Sequence, residues 1–143
     1  MTSKQRRWLI VAGAAACLIL ALTTPLMVRA WKQGGRFEQA FQDFSSAIQS
    51  QDFQLAYENA DPAFKAATTY PEFLGIHRDL TRRLGSLKTI SHTRTIVDGK
   101  GDPMQWVAST DATLQFAQGS ARFRYSFRES AGKWRLLGLR PLE

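Results

Sequence analysis

Hydrophobic positions follow three different rhythms along this chain. From Trp8 to Val28 no side chain carries a charge, an unbroken run of 21 residues. As a helix rising about 1.5 Å per residue, the run spans roughly 30 Å, the depth of a bilayer core. From Phe37 the rhythm is helical: Phe37, Ala40, Phe41, Phe44 and Ile48 form one stripe over residues 36–50. Asp52 is placed to cap a second helix carrying Phe53, Ala56 and Tyr57. Asp61-Pro62 caps a brief turn through Phe64 and Ala67, with proline at the first helical position. Thr69 and Glu72 have capping-box spacing before a stripe of Phe73, Ile76, His77, Leu80 and Leu84, which Gly85 ends.

After Gly85 the period drops to two. Residues 87–97 read as a strand, followed by a glycine-rich turn over 98–103. Trp106, Ala108, Thr110, Ala112, Leu114 and Phe116 alternate with polar or smaller neighbours. Phe123, Tyr125 and Phe127 alternate with Arg122, Arg124, Ser126 and Arg128, a half-buried strand. Turns at Gln118-Gly119 and Ser130-Ala131-Gly132 separate these from a last strand beginning at Lys133. Helices first and a four-strand antiparallel meander afterwards predict an α+β domain over residues 36–143.

Charge alters the first impression of the leader. Residues 1–36 hold six basic side chains and no acid, whereas residues 37–143 hold thirteen basic and twelve acidic ones, a net of +1. The sequence pI near 10.1 therefore belongs mainly to the leader and does not indicate a nucleic-acid-binding domain. Trp8 and Trp31 at the ends of the apolar run, with Arg6, Arg7, Arg29 and Lys32 flanking it, form the pattern of a membrane anchor. The expected division is a basic tail at 1–7, an anchor at 8–30, a flexible joint at 31–35 around Gly34-Gly35, and the domain. The membrane contact itself is assigned to residues 8–28. The short basic tail is expected inside, leaving the domain outside the cytoplasm.

Four other readings of the leader compete. A signal peptide would end at Val28-Arg29-Ala30 and release the domain near Ala30, although an arginine before the cut is unusual. A lipoprotein leader would end at Cys17, but Leu18 continues the apolar run where a polar tether belongs. Arg6-Arg7 matches a twin-arginine export signal only loosely, and the acid-free, arginine-bearing start also suits mitochondrial targeting. Because Cys17 is the one cysteine, the domain has neither an internal disulfide nor a thiolate metal site.

The stretches SQDFQLAYENADPAFKAA (50–67), FLGIHRDLTRRLGSLKT (73–89) and AGKWRLLGL (131–139), in this order of helices and strands, carry a resemblance. The chain resembles the nuclear-transport-factor-2-like superfamily, also called the cystatin-like or ketosteroid-isomerase-like cone, and in particular its small membrane-anchored bacterial members of unknown function. The resemblance implies a sheet wrapped around a long helix, leaving a pocket, and a place at the bacterial inner membrane with the domain facing the periplasm or exterior. That fold serves enzymes, binding modules and assembly factors alike, so chemistry must come from the residues.

Proton-moving members of that superfamily would need a carboxylate or a His–Asp pair inside the pocket, where burial raises its pKa. Neither inward-facing strand stripe contains an acid, so no catalytic residue is assigned and no enzyme is expected. His77 lies on an apolar stripe and is the polar group best placed for a pocket, whereas His92 is expected to be exposed. Their separation across different elements is not metal-ligand spacing, and neither a metal nor a cofactor is expected. With His77, the aromatics Trp106, Phe116, Tyr125 and Trp134 are the expected pocket lining, if they are not simply core. Arg122, Arg124 and Arg128 share one strand face and form the expected docking surface, for an acidic partner or for anionic headgroups. The expectation is a non-catalytic interaction module meeting a protein partner or a second copy through its sheet. A small-molecule binder is the alternative, and an isomerase- or dehydratase-like enzyme comes third.

Overall fold

Helix α1 runs from Ser3 to Gln49 and carries the Phe37–Ile48 stripe onto the sheet. The computed structural model describes the backbone of residues 3–143, with side chains for Pro25 and residues 27–143. Nearly all the side chains of the expected membrane contact at residues 8–28, within the anchor expected at 8–30, therefore lie outside the described residues. Among the described residues no helix is long and apolar enough to cross a membrane. The joint expected at residues 31–35 is helical instead: Gly34 and Gly35 lie within α1. A glycine pair lowers helix propensity by roughly 1 kcal/mol per residue, and neighbouring turns can outweigh that.

The next helices start where their caps predict. Asp52 accepts from the Leu55 N–H ahead of α2 (Phe53–Glu58). Asp61 accepts from the Ala63 N–H ahead of α3 (Pro62–Ala67). Thr69 and Glu72 close a full capping box on α4 (Tyr70–Leu84). Gly85 ends α4 at φ +82°, a conformation that side chains disfavour, and a Cβ there would sit 3.1 Å from Ala117 Cβ.

Strands β1 (Leu87–Lys100), β2 (Gln105–Phe116), β3 (Gly119–Ser130) and β4 (Lys133–Leu142) form one antiparallel meander in sequence order. The fold is α+β, with helices packed on a four-stranded open antiparallel sheet. Inward residues Ala108, Thr110, Ala112, Leu114 and Phe116 of β2, with Phe123, Tyr125 and Phe127 of β3, are all buried. Phe37, Phe41 and Phe44 of α1 meet them edge-on, with ring centroids 5.3 to 6.1 Å apart across Phe37–Phe127, Phe41–Tyr125, Phe41–Phe127, Phe44–Tyr125 and Phe44–Phe127. Each such ring contributes roughly 2 to 3 kcal/mol by burial. The space between helix and sheet is filled by aromatic side chains.

Of three register irregularities in the sheet, one lies at the start of β1, between Leu87 and Thr89, and two lie farther along. The β1–β2 register shifts between His92 and Arg94, and the β3–β4 register shifts between Ser126 and Phe127. Such bulges bend a strand and exchange its two faces. Beyond the shift after His92, Val97 turns inward opposite Ala108, and Ile96 is left 53% exposed.

Candidate interaction face and clefts

The outer face of the sheet follows directly from the register. Arg94, Asp111, Arg124 and Arg140 form a single row across all four strands. Thr113, Arg122 and Leu142 make the next row, and Arg128 lies opposite Arg135 farther along. Arg124 grips Asp111 with two bonds, Nε to Oδ1 at 2.6 Å and Nη2 to Oδ2 at 2.9 Å. The Arg124 hydrogen bond holds the Asp111 carboxyl below the usual range against its desolvation, with help from the charges of Arg124, Arg94 and Arg122. The same bond raises the Arg124 guanidinium further. Asp98, the other acid facing outward from these strands, is 3.5 Å from Lys100 near the β1–β2 turn. Among the described residues, Arg94, Arg122 and Arg140 are exposed and form no ion pair.

Of the three arginines expected to form the docking surface, the structure keeps all on one side of β3 but occupies two. Arg124 holds Asp111, and Arg128 holds Asp61 through Nε–Oδ2 at 3.0 Å and Nη2–Oδ1 at 2.6 Å. Only Arg122 is free, while Arg94 and Arg140, on other strands, join it through pairing that spacing along one strand does not reveal. Helix α4 packs into the inner cluster through Phe73 and Leu80, and its Arg82 and Arg83 both bind Asp79.

Asp61 is the buried acid that the strand patterns could not indicate, at 1% exposure. Its backbone N–H donates to Leu136 O at 2.8 Å, which fixes the α2–α3 corner to β4. Burial alone would raise its carboxyl. The Arg128 hydrogen bond, the Ala63 N–H and the charges of Arg128 and Arg135 outweigh burial and hold it below the usual carboxylate range. A general base needs the opposite shift.

The expected exposure of His92 is corrected by the structure. Its ring packs 4.7 Å from Phe41, and Nε2 lies 2.9 Å from Glu38 Oε1 on α1. A carboxylate only accepts, so Nε2–H donates to Glu38, and in the neutral ring Nδ1 accepts from a threonine hydroxyl. Thr95 Oγ1 and Thr110 Oγ1 each stand 3.3 Å from Nδ1 and 3.1 Å from one another. The bulge just after His92 brings Thr95 beside it, and together they pin α1 to the sheet.

The five residues expected to line one pocket are separated. Tyr125 and Phe116 are core, with burial pushing the Tyr125 phenol further up. Trp106 lies partly buried near the β1–β2 turn, facing Gly99 and Met104. His77 is 5% exposed, stacks on Phe53 at 5.1 Å and meets Phe73 edge-on at 4.9 Å. Its Nε2 has no partner, and burial lowers its pKa to about 4. It borders a shallow groove of about 470 Å³ with Tyr70, Leu74, Arg78 and Thr81. Trp134 borders a different, half-open cleft of about 460 Å³ between α1, α2 and the β3–β4 hairpin. That cleft was not legible because α1 and β4 are far apart in sequence. Among the described residues no cluster of three or more His, Cys, Asp or Glu could hold a metal ion.

No family model matches the chain, and no curated protein matches it. Among solved structures, Aln2 from a Streptomyces species is similar over 77% of this chain and 89% of its own, at 12% identity and TM-score 0.49. A SEC-C-motif protein from Rhodopseudomonas palustris, solved in solution, is similar over 68% of this chain and 72% of its own, at 16% identity and TM-score 0.45. At these values neither likeness says more about this chain than its own topology does.

Proposed function

We propose that this chain is a non-catalytic interaction module of the nuclear-transport-factor-2-like type, held at a membrane by residues 8–28 and working outside the cytoplasm. Its contact surface is the outer face of the sheet, and its partner is a protein presenting carboxylates. The observation that carries this reading is the row Arg94–Asp111–Arg124–Arg140, whose single acid is already taken by Arg124. Arginines directly opposite one another, as in Arg124–Arg140, lower the stability of a sheet. A partner's carboxylates would supply the negative charge that Arg94, Arg122 and Arg140 do not find among the described residues. A second copy of the chain would bring arginines against arginines, so a homodimer through this face is disfavoured.

The interior supports the non-catalytic part. Phenylalanines fill the space under the sheet, the buried acid Asp61 is neutralised by Arg128, and His77 is a neutral ring packed between Phe53 and Phe73. The test is mild crosslinking in native membranes followed by affinity isolation of the wild type and of the Arg94→Glu/Arg122→Glu/Arg140→Glu variant. The wild type should capture a partner that is lost when the crosslinking is done at high salt and lost in the triple reversal. Equal recovery with the variant overturns the reading.

A further inference from the structure

The half-open cleft between α1, α2 and the β3–β4 hairpin has the composition of a small-molecule site. Its apolar wall comes from Phe44, Ala56, Phe127 and Leu136, and Leu55 stands at its mouth 47% exposed. At about 460 Å³ it falls within the size range of ligand sites. Trp134 also lines it, and the Trp134 indole N–H is buried without a hydrogen-bond partner. A buried donor left unpaired costs roughly 1 to 3 kcal/mol, so the indole N–H is a sensitive reporter of change at this wall.

Charge at the rim selects the ligand. Arg36, Lys133 and Arg135 line the cleft, against one acid, Asp43, which already accepts from Gln39 Nε2 at 3.0 Å. Among the described residues neither Arg36 nor Lys133 forms an ion pair. We infer that this cleft binds a small amphiphilic carboxylate, its apolar part against Phe44 and Phe127 and its anionic head at Arg36 and Lys133. Arg135 lies where cleft and sheet meet, but the two residues that take the head, Arg36 and Lys133, do not belong to the Arg94–Arg140 row.

The probe is octanoate, added to ¹⁵N-labelled full-length protein in zwitterionic lipid nanodiscs. The readout is the indole N–H resonance of Trp134, identified by its loss in Trp134→Phe. Octanoate should shift this resonance saturably and leave that of Trp106 in place. Arg36→Glu/Lys133→Glu, both on the exposed rim, should weaken binding about tenfold, and octan-1-ol should bind more weakly than octanoate. The inference is overturned if no saturable shift occurs, if Trp106 moves equally, or if octanol and the charge-reversed variant behave like octanoate on the wild type.

Discussion

At the scale of single residues, two buried ionisable groups set how this domain responds to acid. His77 has a pKa of about 4 in the fold, against 6.5 when unperturbed, because burial disfavours its charged form. The unfolded chain therefore binds the extra proton first. Stability is complete above about pH 6.5 and is lost as pH falls toward 4, by roughly 3 kcal/mol over that window. His77→Met should flatten denaturant-unfolding stability across this range, and a wild-type curve already flat there would contradict the assignment. Asp61 acts in a lower window, because its depressed pKa makes its contribution fail only below the usual carboxylate range. Its pairing with Arg128 is the sharper test. Arg128→Ala leaves a carboxylate at 1% exposure without its bidentate partner and should cost about 3 kcal/mol. Adding Asp61→Asn to that variant should recover part of the loss in the same unfolding measurement; strictly additive losses would show that the pair is not coupled.

At the scale of elements, the glycine pair in α1 is the clearest departure from expectation. Cβ atoms built at Gly34 and Gly35 meet nothing within 4 Å, so alanine fits both positions. If α1 runs through them, each Gly→Ala change stabilises the helix locally by about 1 kcal/mol, slowing amide exchange over residues 33–39 by roughly fivefold per substitution. A flexible joint would give no such protection. The caps at Asp52, Asp61 and Thr69, the α4 stripe and the alternation in β2 and β3 were all readable locally, because capping and side-chain period depend on neighbours in sequence. The β1 faces were not, since one bulge after His92 reverses which of Ile96 and Val97 points inward. The site elements were less legible still. Glu38 and His92 are 54 residues apart, Asp61 and Arg128 are 67 apart, and the Arg94–Arg140 row exists only once four strands pair. Trp134 was legible as a large inward residue, but its cleft depends on where α1 and α2 lie against β4.

At the scale of the whole molecule, helices fill and close one side of the sheet and leave its other side open and cationic. The closed side carries the aromatic core that fixes the fold, together with the edge cleft beside Trp134. The open side sets Arg124 against Arg140 and carries Arg94 and Arg122 without an acid among the described residues, which favours an acidic partner over self-association. The most direct measurement places a photo-crosslinking amino acid at Ser126, on this face beside Arg124, in cells producing the full-length chain, and sequences the peptide that it captures. The account predicts one dominant peptide rich in Asp and Glu from another protein, lost when Arg94, Arg122 and Arg140 are changed to Glu. A peptide from a second copy of this chain, or a captured peptide unaffected by the charge reversal, would contradict it.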